Sequence, residues 1–499
     1  MFHKCKNKLF CANNFIFIIC FCCVTAFANA KPLNPLRKLK EVTLKNGMHL
    51  LMLPRHSAPI IAGGWVVNVG SANEHKGITG MSHMFEHVMF KGSETIGTKD
   101  YNKEKGINAE VASLRKQRQL VGDGITQERL SSAIKKKQEE LDKLYKKSEY
   151  FNIYAQHGGD RINAYTTRDH TAYFLTLPAN KLELFMWMES DRLINPVFRE
   201  FYTERDAVLA ERKERMNKSP FIHASYQFED KYWAGTPFSW PVIGTRNDIG
   251  GYTLAAARRY LQHYTPKNIT LILVGDFDVD QAVTLANKYF SSFKRASDNS
   301  DNTGSVDQSD FRVKPVVGSY DIVAPASVTL RYPTDKIGGE SYVPLQVLSY
   351  MLNSPVGELK QQLQLSNLAS SAQSYNNVNR YAGYFSVYAE AYNNNDITKI
   401  ENKIIDILQD YKHNVSQDRL QLAKTNLLYN YYSHLRSNYS ILQYLLRYAS
   451  YDNGMNYLKS YPDMIEAVSV ADVKRAAQVF FSDDQSRMIV TKKSNDGGV

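Results

Sequence analysis

The chain has 499 residues, 43% of them apolar and 22% charged, proportions that suit a folded globular protein and exclude a disordered, collagen-like or coiled-coil one. A single hydrophobic core stops growing at about 250 to 300 residues, so at least two domains are expected. The net charge of +11 includes Lys4, Lys6 and Lys8 and is otherwise interleaved with acidic residues, which excludes the basic stripe of a nucleic-acid-binding surface.

All five cysteines, Cys5, Cys11, Cys20, Cys22 and Cys23, precede residue 24, so nothing beyond that point can form a disulfide. Residues 1–30 join a lysine-bearing start, an apolar run from Phe15 to Ala28 and the small triplet Ala28-Asn29-Ala30, the layout of a secretory signal peptide. The run would span about 21 Å as a helix, short of the roughly 30 Å hydrocarbon core, and does not suit an anchor. Cleavage after Ala30 leaves a cysteine-free chain suited to an oxidising compartment, periplasmic or extracellular. No later apolar run reaches about 18 residues, so no stable membrane insertion is expected of the mature chain.

Residues 41–55 alternate apolar and polar around Asn46-Gly47, which predicts a β-hairpin. Residues 60–71 read as a buried strand. Residues 77–92, GITGMSHMFEHVMFKG, have helical spacing and end at glycine. The charged stretch 103–150, broken by GDGIT at 122–126, predicts an inserted helical hairpin, either a docking arm or a solvated excursion. Residues 162–178 read as one strand, and 181–193 and 198–218 as helices, the latter stopping before Pro220. A strand and a helix follow over 264–293.

Residues 297–310 carry no bulky apolar side chain and mark a linker, taken as 297–315. It divides an amino-terminal domain, 31–296, from a carboxy-terminal one, 316–499. The second repeats the element types of the first: strand 327–333, helix 341–352, strands 373–391, helices near 397–411 and 416–448, and a last strand 487–493. An internal duplication follows, and the fold class is α+β, a mixed sheet covered by helices in each half.

The chemistry centres on His83-Met84-Phe85-Glu86-His87. On a helix, positions i and i+4 lie about 40° apart, so His83 and His87 project side by side with Glu86 adjacent. Two imidazoles so placed can hold one zinc ion, and a neighbouring carboxylate can act as base toward water. A catalytic zinc site needs a third protein ligand. The helix at 198–218 offers Glu204 and Glu211, two turns apart on one face, with Glu200 and Glu214 as rivals.

The segments GMSHMFEHVMFKGS, GGDRINAYTTRDHTAY, ERDAVLAE and YTPKNITLILVGDFD together resemble the pitrilysin/insulinase family of zinc metallopeptidases, the inverzincins, in a bacterial secreted form. The resemblance implies two homologous halves forming a clamshell-like chamber. It implies one zinc ion per chain on His83, His87 and Glu211, with Glu86 as general base and Glu204 as a carboxylate behind the ligands. It also implies contacts to substrate backbone from Asn163, with Ala164 and Thr166 nearby. Active relatives carry an Arg and a Tyr in the second half. Gln364 and Ser370 stand at those places here, which points to a family partner subunit supplying them in a heterodimer, or to a homodimer. The expected function is zinc-dependent endopeptidase. The competing readings are a non-catalytic structural subunit of the same fold and an envelope protein that binds peptide without turnover.

Overall fold

The computed structural model describes residues 34–295, 311 and 313–493. The signal-peptide expectation and the polar segment 297–310 lie outside the described residues.

Eleven strands form two mixed sheets among the described residues. The first sheet takes β1 (Lys40–Thr43), β2 (His49–Pro54), β3 (Ile60–Val67), β4 (Asp160–Thr166), β5 (Thr171–Pro178) and β6 (Ile269–Gly275), in the spatial order β1-β2-β6-β3-β5-β4. The second takes β7 (Val317–Ile322), β8 (Ser327–Thr334), β9 (Ala369–Val378), β10 (Gly383–Ala391) and β11 (Ser486–Lys492), in the order β7-β11-β8-β10-β9. Removing β1 makes the two orders identical. In both, the first and last strands pair in parallel and the remaining pairs are antiparallel. The duplication inferred from element order is therefore present in the topology.

The helices repeat as well. In the first half α1 (Met81–Val88), α2 (Tyr101–Leu120), α3 (Gly124–Leu144) and α4 (Glu149–Gln156) lie between β3 and β4. Between β5 and β6 come α5 (Leu182–Ile194), α6 (Phe201–Lys218), α7 (Pro220–Tyr232), α8 (Arg246–Gly250) and α9 (Leu254–Tyr260), and α10 (Val279–Phe290) follows β6. The second half has α11 (Tyr342–Asn353), α12 (Ile397–Asp410), α13 (Gln417–His434), α14 (Asn438–Ala449), α15 (Gly454–Ala467) and α16 (Val470–Phe480). Helix α1 packs on α6 as α11 packs on α13. The halves also exchange a helix: α7 lies on β7 and β11, and α14 lies on β3, β5 and β6. That exchange explains why α7 and α14 are apolar on the faces that meet the other half's sheet, at Ala224, Phe228, Ile441 and Leu445.

Three expectations are corrected. The helix expected over 77–92 is confined to Met81–Val88, because Gly80 takes φ +88°, with the Ile243 carbonyl where a side chain would stand, and ends helical winding upstream. The single strand expected over 162–178 is a hairpin, β4 and β5, folding back at Thr167–His170 where Thr167 N donates to His170 O at 2.8 Å. The Asn, Asp and Thr content of that stretch is turn chemistry as much as strand chemistry. The strand expected over 60–71 stops at Val67, and a short 3-10 turn takes Ser71–Asn73.

The inserted hairpin forms as expected from α2 and α3, with Ile107, Val111, Ile134 and Leu141 as its own small core. Its base is tied down by the buried pair Arg199–Glu104, Nε to Oε1 at 2.9 Å.

A candidate metal centre on two helices

The start of α1 is fastened before any of its functional side chains is placed. The Glu74 carboxylate accepts from Gly80 N at 2.6 Å and from Ser82 N at 2.7 Å, satisfying amides that the helix leaves unpaired. Asp248 accepts from Gly77 N and Thr79 N, both at 3.1 Å. These acids were not among the expected site residues; the glycines at 77 and 80 were the available signal of a tightly turned approach to the helix.

On this fixed turn His83 and His87 lie with ring centroids 4.9 Å apart. Helix α6 brings Glu211 across to them, its Oε2 at 3.8 Å from His83 Nε2 and 3.6 Å from His87 Nε2. One ligand atom from each of the three residues falls within 4.8 Å of the others. Ligands at 2.0 to 2.2 Å in a tetrahedron stand about 3.4 Å apart, so the spacing fits one zinc ion with little movement. His83 is buried, and its Nδ1 finds no hydrogen-bond partner among the described residues.

The neighbours hold the triad in place. Glu204 Oε2 stands 3.4 Å from His87 Nδ1, while its other oxygen takes the Lys91 ammonium at 2.6 Å. Arg215 donates to Glu211 Oε1. Of the rivals to Glu211, Glu200 pairs with Lys91 at 3.5 Å and Glu214 with Lys218, away from the imidazoles.

The charges are unequal. Burial, then the neighbouring imidazole of His87, lowers His83 to about 4. Burial also acts to lower His87, but Glu204 and Glu211 outweigh it and raise the ring to about 9. The hydrogen bond from His87 lowers Glu211 to about 2 against the effect of its burial. Burial pushes the Glu86 carboxyl above the usual range, opposed by a hydrogen bond from Thr166 Oγ1 at 2.7 Å.

Thr166 therefore touches Glu86, a contact that spacing in the sequence could not reveal. It ends β4, the edge strand beside α1. Asn163 and Ala164 precede it on the same strand, and the Asn163 side chain accepts from its own neighbour, Ala164 N, at 2.8 Å. The register of β4 breaks between Asp160 and Asn163, with Arg161 at φ +54°.

The equivalent helix of the second half, α11, carries no histidine or carboxylate. There Asn353 and β9 close on each other: Asn353 Nδ2 donates to Ser374 O and Ser374 N to Asn353 Oδ1, both at 2.8 Å. Gln364 and Ser370 are engaged locally, Gln364 Nε2 at 3.4 Å from Ala372 O and Ser370 Oγ at 2.9 Å from Glu390 Oε1.

A family model described as Insulinase (Peptidase family M16) matches residues 51–114 and 142–246, and one described as Peptidase M16 inactive domain matches 257–427. The chain belongs to the M16 peptidase family. The Insulinase-family match contains His83, His87 and Glu211 and leaves out residues 115–141, the distal part of the α2–α3 hairpin. The inactive-domain match spans the half in which α11 lacks metal-binding side chains. Among its relatives is a Helicobacter pylori protein named zinc protease PqqE, 26% identical over 94% of this chain and 96% of that protein. The crystal structure of a protease from Helicobacter pylori has the same fold, with a TM-score of 0.74 over 91% of this chain and 99% of the other at 23% identity. The periplasmic protease PqqL from Escherichia coli also shares it, with a TM-score of 0.66 at 18% identity, over 93% of this chain and 48% of that one.

Proposed function

We propose that this M16 chain is a zinc endopeptidase, and the observation that carries the reading is the convergence of His83, His87 and Glu211 at ligand spacing beside a half-buried Glu86. His83, His87 and Glu211 would hold one zinc ion, with Glu204 orienting His87 from behind. Zinc supplies a Lewis acid that polarises a carbonyl and acidifies water. Glu86 takes the proton from the attacking water and returns it to the leaving amine. Its raised affinity for protons suits both duties. Thr166 fixes which way the Glu86 carboxylate points. The backbone of β4, with Asn163 and Ala164, takes the peptide as an added strand.

The test is a fluorescence-quenched peptide library on the mature chain, with and without zinc. Cleavage that disappears on chelation and returns with stoichiometric zinc supports the reading; zinc binding without cleavage of any peptide makes the chain a binding protein or a structural subunit.

Because Gln364 and Ser370 stand where active relatives have Arg and Tyr, the full enzyme is read as a heterodimer whose second subunit supplies both. A lone chain cleaving at the rate of the reconstituted pair would remove that part. Residues 31–296 are then the catalytic domain and 316–499 its companion, and export to the periplasm agrees with the signal-like start. Among the described residues no helix is long and apolar enough to cross a membrane.

Two results are expected at the site. The variant Thr166→Val should lower kcat about tenfold with zinc content unchanged, the size expected for freeing a general base from its orienting hydrogen bond. Zinc uptake should displace the proton from His87, whose affinity is raised to about 9. The apparent Kd therefore rises about tenfold per unit as pH falls from 8 to 6, read by competition with a chelating indicator. A pH-independent Kd would contradict it.

A further inference from the structure

Helix α7 packs on β7 and β11 of the second sheet and meets β8 and β10 through Glu229 on Arg331 and Phe221 beside Tyr388, leaving a gap between the helix and β8, β9 and β10. A cavity of about 340 Å³ occupies the gap, lined by Phe221 and Phe228 of α7 and by Arg331, Tyr375, Tyr384 and Tyr388 of the sheet. The size and aromatic walls suit a small apolar group with one polar end.

Arg331 supplies a polar anchor. It is 8% exposed, its guanidinium lies 3.9 Å from the Tyr384 ring centroid, and its buried Nε has no acceptor among the described residues. Its charge is only partly answered. Glu229 Oε1 takes Arg331 at 2.6 Å, but Glu229 Oε2 takes Arg168 at 3.0 Å, so two guanidiniums share one carboxylate. The trio carries one net positive charge, and an excess charge in a largely desolvated place favours a single anion.

Phe221 follows Glu211 by ten residues, the first seven of them helical. That keeps the two Cα atoms within about 21 Å, the span of roughly six extended residues. We propose that this cavity binds the carboxy-terminal carboxylate of a peptide, with Arg331 on the carboxylate and the apolar side chain of the last residue among Phe221, Tyr375 and Tyr388. The choice of a peptide rests on the peptidase reading above; the binding of an apolar carboxylate does not.

Calorimetric titration of the mature chain carrying Glu86→Gln with N-acetylphenylalanine tests the site apart from turnover. The acid should bind at least tenfold more tightly than N-acetylphenylalaninamide, and Arg331→Met should reduce the acid to the level of the amide. Asn377→Asp, at the exposed rim of the cavity, should weaken the acid several-fold at unchanged melting temperature and leaves the proposal testable should Arg331→Met not fold. A hexapeptide ending in phenylalanine should show the same preference for a free over an amidated terminus. Equal binding of acid and amide, full binding by Arg331→Met or Asn377→Asp, or no preference between the two hexapeptides would overturn the proposal, whatever the peptidase assay reports.

Discussion

The variant Glu86→Gln is expected to lower kcat/KM for peptide cleavage at least a thousandfold while the chain still binds one zinc ion. The amide keeps the size of the carboxylate and its contact with Thr166 Oγ1, so the metal triad keeps its geometry; only the ability to take and return a proton is lost. General acid–base catalysis contributes about 10² to 10⁴ in rate, and here one group serves both proton transfers, which places the expectation at the upper end. Metal analysis beside steady-state kinetics reads the result. A variant that loses zinc along with activity would make Glu86 a structural group, and one that stays active would move the base elsewhere.

Glu189→Ala is expected to destabilise the amino-terminal half by about 3 to 5 kcal/mol without any direct effect on the metal site. Glu189 is 1% exposed and accepts from Trp65 Nε1 at 2.7 Å, Tyr150 OH at 2.5 Å, Tyr154 OH at 2.6 Å and Arg192 Nε at 2.8 Å. Truncation leaves the buried Arg192 guanidinium without its counter-charge and three donors without an acceptor. The midpoint of urea unfolding should fall with the m-value unchanged. The double variant Glu189→Ala, Arg192→Met should recover much of the loss, since an apolar replacement of both partners removes the uncompensated charge. A single variant as stable as the parent would mean that water reaches the pair.

The network around Glu189 also marks what could not be read in advance. A glutamate in the helix LELFMWMESDRLI looks like a solvated charge, because nothing along the chain announces that Trp65 of β3 and Tyr150 and Tyr154 of α4 will arrive around it from two other elements. Glu211 is the contrary case. Its distance from the histidines in sequence carries no information, and periodicity left four glutamates open; the resemblance of ERDAVLAE to a family segment singled out Glu211, and it is the one whose carboxylate lies within 4 Å of both imidazoles. The hairpin at 101–144 was legible from composition, since long charged side chains at helical spacing on both sides of a Gly-rich break have few other outcomes. The turn between β4 and β5 was not, because Thr and Tyr extend a strand as readily as they flank one.

Local chemistry in the chain thus determined the helices and most strands, the repeat of the two halves and the pairing of His83 with His87, because each depends on residues within a few positions of one another. Tertiary structure alone decided that Glu211 meets those imidazoles, that Thr166 donates a hydrogen bond to Glu86, that α7 and α14 cross to the opposite halves, and that Arg331 is left sharing Glu229 beside a cavity. Those outcomes depend on how whole elements pack, and packing is set by summed buried area and shape, quantities that no short window of sequence contains.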